Sequence, residues 1–210
     1  MCAIVQARPP SRGAISPLGR VVRVTSNLWI VPGSPALALS PAPASRRLLG
    51  ATRALAGTAG GRAVDIVCSL DDRWRTEHTG SFAAWGAPEI TVRGGNHLGE
   101  LVARFALGDP EIREVRGRIG TPDPDAVTVV VLDGPAGLTQ RAPLSLVEGD
   151  AAAHERIQAW LGGGAPEDVA THVLEPALWE ELAALHPVQA RLIDADGTLG
   201  VGRYVAEWRV

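Results

Sequence analysis

The residues best suited to chemistry are a histidine and a glutamate three positions apart, His97 and Glu100. At this spacing two residues share one face of a helix, so the imidazole and the carboxylate would lie side by side. This pair predicts a metal site, since both groups are common ligands of transition metals. The alternative is a histidine at a helix N-terminus, with a solvated glutamate near the positive end of the dipole. His78, in the turn-rich stretch before them, could be a third ligand or an ordinary exposed loop residue.

A second set of candidates belongs to a ligand cleft. Asp133 follows an apolar run, residues 127–132, that predicts a central buried strand. Ligands gather at the carboxyl ends of strands in α/β sheets, so Asp133 could contact one; Asp133-Gly134-Pro135 is equally ordinary turn chemistry. Trp74 and Trp85 could line a pocket for an aromatic ligand or could seal an edge of the core. Three late histidines are expected to be packing or surface residues far from this edge: His154, His172 and His186.

Several function classes are excluded by composition and motif. All 20 basic residues are arginine, so the lysine of a phosphate-binding loop is missing, and no Gly-x-Ser-x-Gly or Cys-x-x-Cys pattern occurs. A nucleophilic Ser34 would need a histidine base and an oxyanion hole that the spacing does not supply. The net charge is −3 and the arginines are scattered, so no nucleic-acid partner is expected.

The location is predicted from what the sequence lacks. The two cysteines, Cys2 and Cys68, do not form a disulfide framework, which favours a reducing cytoplasm. No run approaches the roughly 20 apolar residues of a membrane span, so we expect a soluble cytoplasmic protein and no membrane partner. Residues 1–26 are expected to be a disordered extension or the product of a misplaced start codon.

The elements that must position these residues alternate between strands and helices. Apolar runs predict strands at residues 28–32, 63–69, 89–93, 127–132, 188–193 and 201–208. Helical periodicity predicts a helix over 44–56, one capped by Asn96 and ending at Leu107, one capped by Asp150, and one opening at Pro166. The sequence therefore predicts one α/β domain over residues 27–210, with a mixed, largely parallel central sheet flanked by helices.

An ordered series of segments carries a family resemblance. The chain ends in Gly200-Val-Gly-Arg-Tyr-Val-Ala-Glu-Trp208, and four further segments match in order: residues 31–37, 67–86, 131–143 and 168–184. In these segments the chain resembles the class III extradiol ring-cleavage dioxygenase-like family of the Memo-like superfamily, actinobacterial type. His97-Leu-Gly-Glu100 is similar to a His-Ser-x-Glu segment of Memo proteins.

The resemblance implies an iron site that this chain does not reproduce. Class III extradiol dioxygenases hold Fe(II) through two histidines and one carboxylate. Where the family has its first histidine this chain has Ser34, and where it has the second stand Asp71, Asp72 and Arg73. The metal site is therefore expected to be degenerate, with no cofactor.

Three functions follow as hypotheses. The first is a non-catalytic protein that binds a small molecule, aromatic in the family's manner, in a cleft formed by Ser34, Asp71, Trp74, Trp85 and Asp133. The second is an active non-haem Fe(II) dioxygenase with His78, His97 and a carboxylate from Glu100, Asp71 or Asp133. The third is a protein-interaction or self-associating module. The sequence does not indicate an oligomeric state.

Overall fold

The computed structural model describes residues 26–210, and these form a single α/β domain. The predicted extension lies outside the described residues except for Ser26. The strands are β1 (Leu28–Val31), β2 (Val64–Val67), β3 (Ser81–Phe82), β4 (Ala87–Thr91), β5 (Glu114–Arg116), β6 (Val127–Val131), β7 (Gln189–Asp196) and β8 (Arg203–Arg209). The helices are α1 (Ala36–Leu39), α2 (Pro43–Ala56), α3 (Leu98–Leu107), α4 (Asp150–Leu161) and α5 (Pro176–Ala183).

The main sheet has six strands in the order β5-β2-β6-β1-β8-β7. The first four run parallel, whereas β8 is antiparallel to both β1 and β7. The predicted fold class is therefore confirmed. Because β8 runs the other way, its first residues lie at the edge where β1 and β6 end, and Asp133 forms an isolated bridge with Arg203 there. Strands β3 and β4 form a separate two-stranded sheet.

Helices cover both faces of the sheet because its strands are apolar on both sides. On β1, Trp29 and Val31 face a core completed by α2 and α3, while Leu28 and Ile30 face a core completed by α4 and α5. The second core also takes the alternate residues of β8, which are Tyr204, Ala206 and Trp208. Within residues 26–210, no helix combines the length and the apolar character that a bilayer crossing requires.

Two predicted helix starts are wrong for identifiable reasons. Asn96 does not cap α3, whose N-cap is His97. The helix expected to open at Pro166 begins ten residues later at Pro176. A proline inside a helix loses a backbone hydrogen bond and clashes with the preceding turn, but it fits the first turn. Pro176 therefore starts a helix where we expected the interior of one.

Other differences concern side chains and short strands. Asp150 is the first residue of α4, following Gly149 at a φ of 89°, and does not cap it. Its carboxylate accepts a hydrogen bond from the backbone N–H of Gly137 at 2.9 Å, which ties the loop after β6 to α4. Strand β5 is absent from the prediction, because three residues reading Glu-Val-Arg are too few to show a period.

Candidate functional site

A cleft opens where three neighbouring parallel strands end. β2, β6 and β1 lie side by side and run in one direction, so their carboxyl ends meet at one edge of the sheet. Gly33, Cys68 and Asp133, which follow these three strands, line the cleft together with Leu98 and Gly99 of α3. Open α/β sheets bind ligands at this position.

The carboxyl group of Asp133 is held by the turn that follows β1. Its Oδ1 accepts a hydrogen bond from the backbone N–H of Gly33 at 3.1 Å, and the N–H of Ser34 also donates to it. Burial raises the pKa of Asp133 to about 6, although these two donors and the charge of Arg203 act in the opposite direction. A carboxyl group that titrates near neutrality in a cleft is typical of a functional site.

Helix α3 reaches the cleft through a close contact at Gly99. A Cβ atom at this position would lie 2.7 Å from the Cβ atom of Cys68, so only glycine allows the helix to approach β2 this closely. Burial, followed by the carboxylates of Glu100 and Glu175, raises the pKa of Cys68 to about 12. The thiol is therefore protonated at neutral pH and is not a nucleophile.

An ionic contact between two loops closes one side of the cleft. Trp74 donates its indole N–H to Oε1 of Glu175 at 2.5 Å. The guanidinium of Arg73 donates to the same oxygen at 2.8 Å and to the carbonyl oxygen of Leu174 at 3.0 Å. It also lies 5.3 Å from the centre of the Trp74 ring. This contact joins the loop after β2 to the segment before α5.

The cleft is small. Its cavity volume is about 60 Å³. A water molecule needs roughly 10–15 Å³ by this kind of measure, so the cleft has room for about four to six water-sized groups. A dry cavity that takes up benzene measures about 150 Å³. The cleft therefore encloses a small head group, and a whole aromatic ring would need a larger opening.

Two of the five predicted cleft residues line this cleft, namely Asp133 and Trp74. Ser34 is next to it: its N–H points to Asp133, while its hydroxyl oxygen accepts a hydrogen bond from the N–H of Ala36 at 3.3 Å. Ser34 thus contributes a backbone donor to the site, and its side chain supports α1.

Asp71 and Trp85 are not among the lining residues. Asp71 is exposed and accepts a hydrogen bond from the backbone N–H of Arg73 at 3.0 Å, which caps the 3₁₀ turn Asp72–Trp74. Trp85 packs edge to face against Phe82, with 6.2 Å between the ring centres. Trp85 therefore follows the second alternative, a ring that seals the edge of a core.

The predicted metal ligands have other surroundings. His78 is exposed in the loop before β3, and His97 is the N-cap of α3. Glu100 is buried, and its carboxylate forms an ion pair with Arg104 at 2.8 Å, one turn along α3. In the described part of the chain, no three His, Cys, Asp or Glu side chains are grouped so that they could hold a metal ion.

The donors in the cleft do not fit the iron site that the family resemblance implies. That site needs two imidazoles and one carboxylate. The cleft offers the thiol of Cys68 and the carboxylates of Asp133 and Glu175, and none of its lining residues is a histidine. This donor set therefore supports no step of a dioxygenase reaction.

Glu175 and Cys68 are site residues that the sequence patterns do not single out. Cys68 ends an apolar strand pattern, which is a signal that could have placed it at the ligand edge. Glu175 could not be placed from sequence, since it contacts Trp74 across 101 positions of the chain.

Two histidines also lie in unexpected surroundings. Nδ1 of His154 is 2.6 Å from the hydroxyl oxygen of Tyr204, and Nδ1 of His172 is 2.7 Å from Oδ1 of Asp150. Both histidines pack as predicted. The expectation that His154 lies far from the ligand edge is wrong, because Tyr204 opens β8 at that edge and a Cβ atom at Gly134 would touch its hydroxyl group.

The fold and the cleft define the class of this protein: a single-domain α/β protein with a small acidic cleft at the strand ends. Neither a protein-family model nor a curated protein sequence matches the chain.

Proposed function

We propose that this protein binds a small molecule in the cleft formed by Gly33, Cys68, Asp133, Trp74 and Glu175, without catalysing a reaction on it. The observation that carries the proposal is the carboxyl group of Asp133, which is buried at the end of a central strand and still borders an open cleft. Burying a carboxylate opposes folding, and natural proteins tend to keep such groups where they serve a site.

The binding role is favoured over catalysis by the state of the potential nucleophiles. The raised pKa of Cys68 keeps its thiol protonated, and the hydroxyl group of Ser34 is used within its own turn. Nothing in the cleft pairs a nucleophile with a histidine base, which covalent catalysis requires. The family's aromatic ligand is compatible with the cleft only if most of the ring stays outside it.

Blocking the cleft tests the proposal. Ser69 lines the cleft and is partly exposed, so Ser69→Phe should fill the opening without disturbing the core. Purified protein is screened by thermal shift against a panel of small amines, amides, carboxylates and catechol. We expect at least one member to stabilise the wild type and the control Ser69→Ala, but not Ser69→Phe. A panel without hits, or hits that Ser69→Phe retains, would contradict the proposal.

An anaerobic Fe(II) titration separates the proposal from the dioxygenase alternative. We expect no stoichiometric iron, because the cleft lacks histidine ligands. About one tightly bound Fe(II) per chain, with catechol ring opening that is lost in His97→Ala, would replace the binding role by the enzyme. We also propose a cytoplasmic location, in keeping with the buried free thiol of Cys68.

A further inference from the structure

The charge of the ligand can be inferred if the proposed binding function holds. We propose that the cleft binds the head group of a small organic cation, such as an ammonium or amidinium group, between the carboxylates of Asp133 and Glu175. We propose further that the guanidinium of Arg73 occupies part of this site as an internal competitor.

The first argument is the charge of the cleft. Its two charged lining residues, Asp133 and Glu175, are both acidic. The carboxylates of Glu100 and Glu175 both disfavour the ionised thiol of Cys68, which places a negative potential at that position. Arg203 acts on Asp133 from β8, but it is itself paired with Asp196. Such a cleft attracts cations and repels anions.

The second argument is the arrangement around Arg73. A guanidinium over an indole ring, bonded to a carboxylate, is the arrangement in which proteins recognise organic cations. Both the indole of Trp74 and the guanidinium of Arg73 donate to Oε1 of Glu175. Among the described residues no hydrogen bond reaches its Oε2, which leaves that oxygen for a ligand. The Arg73 side chain is 52% exposed, and exposed ion pairs are weak, so a ligand cation can displace it.

The third argument is size. The cavity volume of about 60 Å³ suits a head group of a few heavy atoms. An amidinium group can donate to carboxylates on two sides, as Asp133 and Glu175 require. Leu98, Val131 and Leu174 also line the cleft, and they can contact the apolar part of such a ligand.

Three probes of equal shape isolate the effect of charge. Acetamidinium, acetamide and acetate are planar, have the same number of heavy atoms, and carry positive, zero and negative charge. Each is titrated at constant ionic strength and at about pH 8, where Asp133 is ionised, while the indole resonance of Trp74 is followed. We expect acetamidinium to bind at least about tenfold more tightly than acetamide, and acetate not to bind.

Variants then test the two carboxylates and the competitor. Asp133→Asn and Glu175→Gln should each weaken acetamidinium binding on the order of tenfold, because each removes one charged acceptor. Arg73→Ala should strengthen it several-fold, since the internal cation is gone. The control is Arg93→Ala, which removes an exposed arginine that contacts Asp109 and not the cleft; it should change nothing.

The outcomes separate this inference from the function on which it rests. Acetate or acetamide shifting Trp74 as strongly as acetamidinium would overturn the cation proposal and leave the ligand cleft standing. No shift with any probe would count against both. Weaker binding in Arg73→Ala would make Arg73 part of the binding site and would overturn its role as competitor. The indole resonances of Trp29 and Trp208 show for every variant whether the fold is intact.

Discussion

Asp133 is a buried carboxyl group whose partners compensate its charge only in part. Two backbone N–H groups and the charge of Arg203 favour its ionised form, yet burial outweighs them and the pKa rises to about 6. An unfolded aspartate has a pKa of about 3.9. The folded protein therefore holds this proton more tightly than the unfolded chain does, and ionised Asp133 opposes folding.

This difference predicts a pH dependence. Between pH values of about 4 and 6 the folded state keeps the proton that the unfolded state has released, so acidification stabilises the protein through this group. From about pH 7.5 to pH 4.5 the gain is about 2 kcal/mol, and Asp133→Asn lacks it. Urea melts of both proteins at the two pH values measure it. A stability difference that does not change with pH would contradict the raised pKa.

Single residues of the site are only partly predictable from the sequence. Asp133 can be found because it follows an apolar run that could only be a central strand. Trp74 can be found as an aromatic residue in the right loop. Glu175 cannot, since its contacts with Arg73 and Trp74 depend on how two distant loops meet. Local patterns identify strand ends but do not determine which loops cross them.

At the scale of elements, β8 is the strand on which most of one core rests. It lies between β1 and β7, and its Tyr204, Ala206 and Trp208 enter the core beneath α4 and α5. Trp208 is fully buried, contacts Trp160, and donates its indole N–H to the carbonyl oxygen of Leu161 at 3.0 Å. The alternation that predicts this strand also predicts which of its residues are buried.

Trp208→Ala should therefore be severely destabilising. Truncating a buried tryptophan typically costs about 3–5 kcal/mol, and the lost hydrogen bond to Leu161 leaves a buried carbonyl group unpaired. His78→Ala, at an exposed loop position, should change stability by less than about 0.5 kcal/mol. Denaturant melts of the two variants provide the comparison. A mild Trp208 variant would show that β8 is not essential to this core.

Elements are predictable where the period is long, and the prediction fails where it is short or interrupted. Helices α2, α3 and α4 and strands β1, β2, β6 and β8 fall close to their predicted positions. The predicted strand at 89–93 exists as β4 but pairs with β3 outside the main sheet. An apolar alternation specifies a strand and does not specify its partner.

At the scale of the molecule, the chain ends of the described domain meet at the edge opposite the cleft. Asn27 accepts a hydrogen bond from the N–H of Val210 through its side chain, and its backbone bonds with Trp208 and Thr128. Ser26 accepts the indole N–H of Trp29 and donates to Glu207, each at 3.0 Å. The boundary of the folded unit therefore includes Ser26, one residue before the predicted one.

Shortening the chain from its start tests this boundary. A chain that begins at Thr25 keeps the contacts of both Ser26 and Asn27, so its thermal midpoint should stay within about 2 °C of the full chain. A chain that begins at Leu28 loses several hydrogen bonds and should melt roughly 5–10 °C lower. Differential scanning calorimetry of the two chains gives both values. A large loss in the longer one would show that residues 1–24 contribute to the fold.

The central claim, that the edge where β1, β2 and β6 end is a ligand site, is tested most directly by locating a bound molecule. The six tryptophan indole N–H groups give separate reporters in a two-dimensional ¹H–¹⁵N spectrum. Trp74 lines the cleft and Trp179 donates to the carbonyl oxygen of Asp133, whereas Trp29 and Trp208 have their partners elsewhere. With a ligand identified by the thermal-shift screen, we predict that Trp74 shifts most, Trp179 less, and Trp29 and Trp208 stay in place. A saturable shift at Trp29 or Trp208 with Trp74 unmoved would contradict the claim.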